Sequence, residues 1–170
     1  MSVTPRILLI GYGNPGRGDD GLGPALAARI EALALPGLTV DIDYQLTVDH
    51  AALIAAHDLV IFADAAIGLG RPFRFDPLTA SPPESLGSHQ VSPQAALALA
   101  ALLFGRAPTA HVLAIAGEAF GEVHEGLSLP ARRNLDLAAH HLSRWLARQG
   151  HPAQDGILTP GQPASPLVTS

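Results

Sequence analysis

The sequence predicts an α/β protein: a three-layer sandwich in which a mostly parallel, twisted sheet of about five strands carries helices on both faces. Two observations lead there. Short apolar runs alternate with longer stretches of helical periodicity, which is the pattern of a parallel sheet wound through crossover helices. The first run, Ile7-Leu8-Leu9-Ile10, has no polar alternation, as expected of a central strand covered on both faces.

After that strand comes a glycine-rich loop, Gly11 to Gly21, and then a helix from Leu22 to Leu35 that Pro36-Gly37 stops. Leu38 to Ile42 reads as a second strand, Val48 to Ala56 as a short helix, and Leu59 to Ala63 as a third strand. Pro72 to Phe75 suits a short edge strand, because a proline cannot donate to an interior ladder. Val91 to Phe104 is apolar almost all round and too short for a membrane span, so it reads as a buried helix. Val112 to Ala116 reads as a further buried strand, and a last helix opens at Ser128 or Pro130 and runs to about Gln149. Residues 1–150 therefore form one domain. Residues 151–170 collect four prolines among Gly, Ser and Thr with little to bury, and read as a mobile tail.

Composition narrows the function classes. With 170 residues and 48% hydrophobic content the chain can bury one sizeable core. A net charge of −5 with only 10 Lys plus Arg argues against a nucleic-acid partner, since phosphate binding needs a clustered basic surface. No cysteine is present, so thiolate nucleophiles, Fe–S ligation and Cys-type zinc sites are excluded, and any metal must rest on His, Asp and Glu. The apolar stretch near the N-terminus is too brief for a signal peptide or a membrane span, which gives a cytoplasmic expectation and no membrane partner.

In open α/β sheets ligands bind beyond the carboxyl ends of the strands, which singles out three places. They are Asp19-Asp20 in the glycine loop, Asp64 after the third strand, and His89 before the apolar helix. Asp20, Asp64 and His89 make an O,O,N set suited to a divalent transition metal with open positions. Asp19 and Asp20 also suit the N-cap of the next helix, Asp19 more so, Asp64 suits a turn cap, and His89 suits an ordinary loop. His50, His57, His140 and His141 read as surface residues. The loop Gly11-Tyr12-Gly13-Asn14-Pro15-Gly16 also satisfies a dinucleotide fingerprint, with Asp41 or Asp43 available to a ribose. That match is weak, because five residues and two carboxylates intervene before the helix and Pro15 lacks a backbone donor. H-E-x-x-H, G-x-S-x-G and P-loop patterns are missing.

The run Leu8 to Asn14 followed by Asp19-Asp20-Gly21-Leu22-Gly23, then Val60 to Ala65, Ser88-His89, Ala116-Gly117-Glu118 and Gly126-Leu127-Ser128, resembles the [NiFe]-hydrogenase maturation endopeptidases over about residues 6–146. The resemblance implies an enzyme that removes a C-terminal extension from the precursor of a hydrogenase large subunit once nickel is in place. It further implies that Asp20, Asp64 and His89 contact that nickel, as metal-binding and catalytic residues, and that the nickel is supplied by the substrate. Glu118-Ala119 departs from the Glu-Pro of many relatives, and the segment Tyr44 to His50 is similar to the branch serving bidirectional or other soluble hydrogenases. A nickel-sensing module that holds the large subunit without cutting it is the reading from another class.

Overall fold

A computed structural model of the chain describes residues 3–82, 90–121 and 123–150, so the tail expectation falls outside the described residues. Among these, β1 (Ile7–Tyr12), α1 (Leu22–Glu31), β2 (Leu38–Asp43), α2 (His50–Ala55), β3 (Leu59–Ala66), β4 (Phe73–Leu78), α3 (Pro93–Phe104), β5 (Thr109–Ala116) and α4 (Leu129–Arg148) follow in order. The strands form one sheet, β2-β1-β3-β5-β4. All neighbours are parallel except β4 and β5.

The unbroken apolar run of β1 has its expected cause. Ile7 and Leu9 enter the core layer under α1 and α4, Leu8 and Ile10 enter the opposite layer under α2 and α3, and all four are fully buried. The three-layer sandwich is thus as the sequence predicts.

Several boundaries differ, among them the start of β5 at Thr109 rather than Val112, and three have a physical reason. α1 ends at Glu31 rather than Leu35, because Ala34 turns through a positive φ of 49° while Leu35 still drops into the core. A core-facing loop residue had prolonged the helical periodicity. β4 runs on to Leu78 and includes Pro77, which is tolerated because β4 pairs on one side only. β3 runs on to Ala66, so Asp64 is a strand residue whose position Ala114 of β5 fixes in register.

α3 is the helix with the fullest punctuation. Ser92 Oγ accepts from Ala95 N–H at 3.1 Å, Pro93 opens the first turn, and Gly105 closes the helix in the left-handed region. Its far end is less buried than the apolar run suggests, since Leu102, Leu103 and Phe104 are exposed.

β1 lies between β2 and β3, so the chain leaves β1 toward one side of the sheet and returns to the other. That reversal opens a crevice beyond the carboxyl ends of β1 and β3. Gly23 sets the wall of the crevice, because a side-chain carbon there would press into the carbonyl oxygens of Tyr12 and Ala63. Replacing Gly23 with Ala is expected to cost about 2–3 kcal/mol in urea denaturation, as overpacking against main chain cannot relax by a rotamer change.

Candidate functional site

The glycine loop is closed upon itself. Gly13 N–H donates to Asp43 C=O (3.1 Å), Asn14 N–H to Asp20 Oδ2 (2.8 Å), and Gly16 N–H to Asn14 Oδ1 (2.9 Å). Arg17 N–H donates to Asn14 C=O, Gly18 N–H to His124 C=O, Asp19 N–H to Ala119 C=O, and Asp20 N–H to Arg17 C=O. Pro15 has none to give. Every amide from Gly13 to Asp20 is therefore engaged within the chain, and the loop has no cradle for a pyrophosphate. The two acids considered for a ribose are also engaged, since His50 Nε2 lies 3.1 Å from Asp41 and 3.6 Å from Asp43. Gly13 has a φ of 142° and faces the Asp20 carbonyl so closely that no side chain fits.

Asp19 does not cap the helix that follows it. Its fully buried carboxylate reaches across the fold, accepting from Glu118 N–H (2.8 Å) and Ala119 N–H (2.9 Å) after β5, and from Ser128 N–H and Oγ–H (both 2.7 Å) at the start of α4. Burial alone would raise its pKa, but these four donors hold it below the ordinary carboxylate value. Glu118 is exposed and contributes here through its amide rather than its carboxylate.

Asp20 is not an N-cap either: α1 begins after Gly21, and the half-buried Asp20 carboxylate ties back to Asn14. Asp64 stands at the end of β3, half-buried, with Oδ1 accepting from Ala65 N–H at 2.8 Å. Burial raises its pKa to about 6; the Tyr12 hydroxyl and the Ala65 amide oppose the rise, and the charge of Asp20 adds to it. The turn Gly18–Gly21 that carries Asp20 packs against β3, which carries Asp64. Tyr12 is itself driven well above the usual phenol value, by burial and then by the Asp64 charge.

The described chain resumes at Gln90 on the same carboxyl side of the sheet, where Gln90 Nε2 donates to Gln45 Oε1 and Val91 N–H to Leu46 C=O. His89 itself lies outside the described residues. The structure thus brings Asp20 and Asp64 together, and among the described residues no three acids or imidazoles form a metal cluster. The β1–β3 pairing sets Gly11 against Ala63, and alternation along each strand puts Tyr12 beyond Ile10 and Asp64 beyond Phe62 on one face.

His50, His57, His140 and His141 all correct the surface reading, His140 being half-buried. His50 and His57 are buried; His50 Nδ1 accepts from Thr47 N–H, while His57 bridges Leu53 C=O and Thr39 Oγ1. His141 is half-buried against Phe73 and Phe75.

Against α1 lies an open apolar groove of about 350 Å³, lined by Pro15, Gly18, Gly21 and Ala25 and by Ile42 and Leu127.

Removing the Asp19 carboxylate with Asp19→Ala is expected to cost about 3 kcal/mol or more, well beyond a lost helix cap, because four donors lose one charged acceptor. Its depressed pKa gives stability that is complete above the unfolded carboxylate value and lost as pH falls through the folded one; acid denaturation curves of both proteins measure it. Asp64 works in the opposite sense. Its raised pKa gives stability present below the unfolded value and lost as pH climbs through about 6, so Asp64→Asn should match the wild type near pH 4 and exceed it by about 1–3 kcal/mol at pH 7.5.

No family model matches the chain, and no curated protein matches it. Solved structures do. The chain superposes on the [NiFe] hydrogenase maturation protease HycI from Thermococcus kodakarensis KOD1 with a TM-score of 0.65 at 22% identity, over 84% of this chain and 92% of that one. The hydrogenase maturating endopeptidase HybD from E. coli gives 0.62 at 24%, over 86% and 95%. A solution structure of an endopeptidase from Escherichia coli gives 0.67 at 19%, again over 86% and 95%. The chain shares, over nearly the whole of its single described domain, the fold of the hydrogenase maturation proteases.

Proposed function

We propose that the protein is an endopeptidase that removes a C-terminal extension from the nickel-loaded precursor of a [NiFe]-hydrogenase large subunit. The observation that carries this reading is the acid pair Asp20 and Asp64 at the sheet's reversal point, in a fold shared with proteases of hydrogenase maturation. Asp64, whose pKa burial raises to about 6 with a further contribution from the Asp20 charge, is held where a cation would stabilise its ionised form.

In this reading the nickel belongs to the substrate. Asp20, Asp64 and His89 offer it two oxygens and an imidazole nitrogen, a set suited to a divalent transition metal and short of a complete shell. The contact distinguishes loaded from empty precursor and brings the scissile bond to the crevice. Hydrolysis then adds water across the peptide bond: oxygen bonds to the carbonyl carbon, the C–N bond breaks, and the leaving amine takes a proton. The substrate's metal supplies polarisation of the carbonyl or of the water. A crevice carboxylate supplies the base. The chain has no cysteine for a thiolate route.

The test is to incubate the protein with large-subunit precursor prepared with and without nickel, and to follow loss of the C-terminal peptide by mass spectrometry. Only the nickel-loaded form should be cut, and Asp20→Ala, Asp64→Ala and His89→Ala should each slow the reaction by about tenfold or more. Equal cleavage of both precursors would remove the recognition mechanism. Tight binding of the loaded precursor without cleavage would establish the binding module instead.

A further inference from the structure

Between β2 and α2 the chain crosses the carboxyl side of the sheet through residues 44–49, of which only Leu46 is buried. Burial of its own side chains therefore does little to fix this loop. The fixing group is His50, 5% exposed at the start of α2. Thr47 N–H donates to His50 Nδ1 (3.0 Å), and His50 N–H donates in return to Thr47 C=O (3.2 Å). An amide can only donate, so Nδ1 is the bare nitrogen and Nε2 carries the ring proton. That second nitrogen faces the end of β2, 3.1 Å from Asp41 Oδ2 and 3.6 Å from Asp43 Oδ2. One imidazole thus clamps the loop to the last residues of the strand.

Two segments on the carboxyl side of the sheet depend on this clamp. Asp43 C=O accepts from Gly13 N–H (3.1 Å), and the next amide, Asn14 N–H, holds Asp20 Oδ2 at 2.8 Å. Within the loop itself, Leu46 C=O accepts from Val91 N–H (3.2 Å) and Gln45 Oε1 from Gln90 Nε2 (3.2 Å), on the residues that follow His89. We propose that His50 is a positioning residue, which sets the glycine loop with Asp20 and the chain at Gln90-Val91 in fixed relation to each other. This rests on the function proposed above, in which Asp20 and His89 meet the substrate's nickel. His50 acts through these two segments, as outer hydrogen-bond partners orient the groups that do the binding. Were they left to move, each precursor would have to order them on arrival, at a cost in affinity.

The experiment uses the full chain, the variants His50→Phe and His50→Asn, and precursor with and without nickel. His50→Phe keeps a planar ring and removes both nitrogens. In it, native-state hydrogen exchange of the Gly13, Thr47 and Val91 amides should quicken about tenfold or more, while the Ile10 and Ile61 amides of the central strands keep wild-type rates. Affinity for nickel-loaded precursor should fall about tenfold, with affinity for nickel-free precursor unchanged. His50→Asn keeps an acceptor near the place of Nδ1 and drops the nitrogen that faces Asp41 and Asp43. It should leave Thr47 protected, loosen Gly13 and lose less affinity for loaded precursor. If His50→Phe does not fold, His50→Asn decides alone, and wild-type exchange at its Gly13 overturns the role.

A His50→Phe protein whose Gly13 and Val91 amides exchange as in wild type, that binds loaded precursor like wild type, or that loses both precursors alike overturns the positioning role while leaving the functional reading in place. Quickened exchange throughout β1 and β3 does the same, because it marks a histidine that only holds the fold together. If the wild type itself fails to tell loaded from empty precursor, the functional reading falls and the role of His50 with it, whatever the amides do. The two failures have different signatures.

Discussion

The buried carboxylate of Asp19 is the tie on which the arrangement depends. It joins three parts of the chain that are distant in sequence: the loop after β1, the turn after β5 and the first residue of the α4 cap. Ser128 passes the constraint on, because its hydroxyl donates to Asp19 and also accepts from Ala131 N–H within α4. Through α4, whose buried face includes Leu135, Leu142 and Leu146, the loop is anchored in the core. A lone buried charge would be severely destabilising; four short donors at 2.7–2.9 Å make this one a fixed point.

Neighbouring acids have opposite work to do. Asp19 is saturated with donors and faces inward, whereas Asp20 turns back to a single amide and shares a crevice with Asp64. Asp64 is the one whose pKa burial raises, and the fold gives up stability to keep it ionised near neutral pH. Such a conflict between local comfort and position is what distinguishes a working site from structural hydrogen bonding.

Much of this was legible in the sequence. The β1 run with both faces covered, the opening of α4 at Ser128 and the placement of acids at strand ends follow from local rules, and so the sheet and the crevice could be read in advance. What local rules could not supply was partnership across the chain. Asp19 matches an N-cap by spacing, and only the approach of residues 118–119 and 128, about a hundred positions later, gives its carboxylate another use. His50 and His57 carry no periodic signal of burial; Thr39, Asp41 and the Leu53 carbonyl enclose them. Tyr12 stands inside the glycine motif, and only the pairing of β1 with β3 shows that its ring joins the layer of Val60 and Phe62.

The single proline of β4 has a consequence at the rim of the sheet. An open sheet offers unpaired main-chain groups at its two outer strands, and such edges invite addition of strands from other molecules. Here one margin is interrupted at Pro77, which has no N–H to offer, and the other, β2, ends in the acidic pair Asp41 and Asp43 held against His50. A newcomer strand would meet a missing donor at one margin and negative charge at the other. In the function proposed above, the peptide is received at the crevice on the carboxyl side, between β1 and β3, without the sheet being lengthened at either rim.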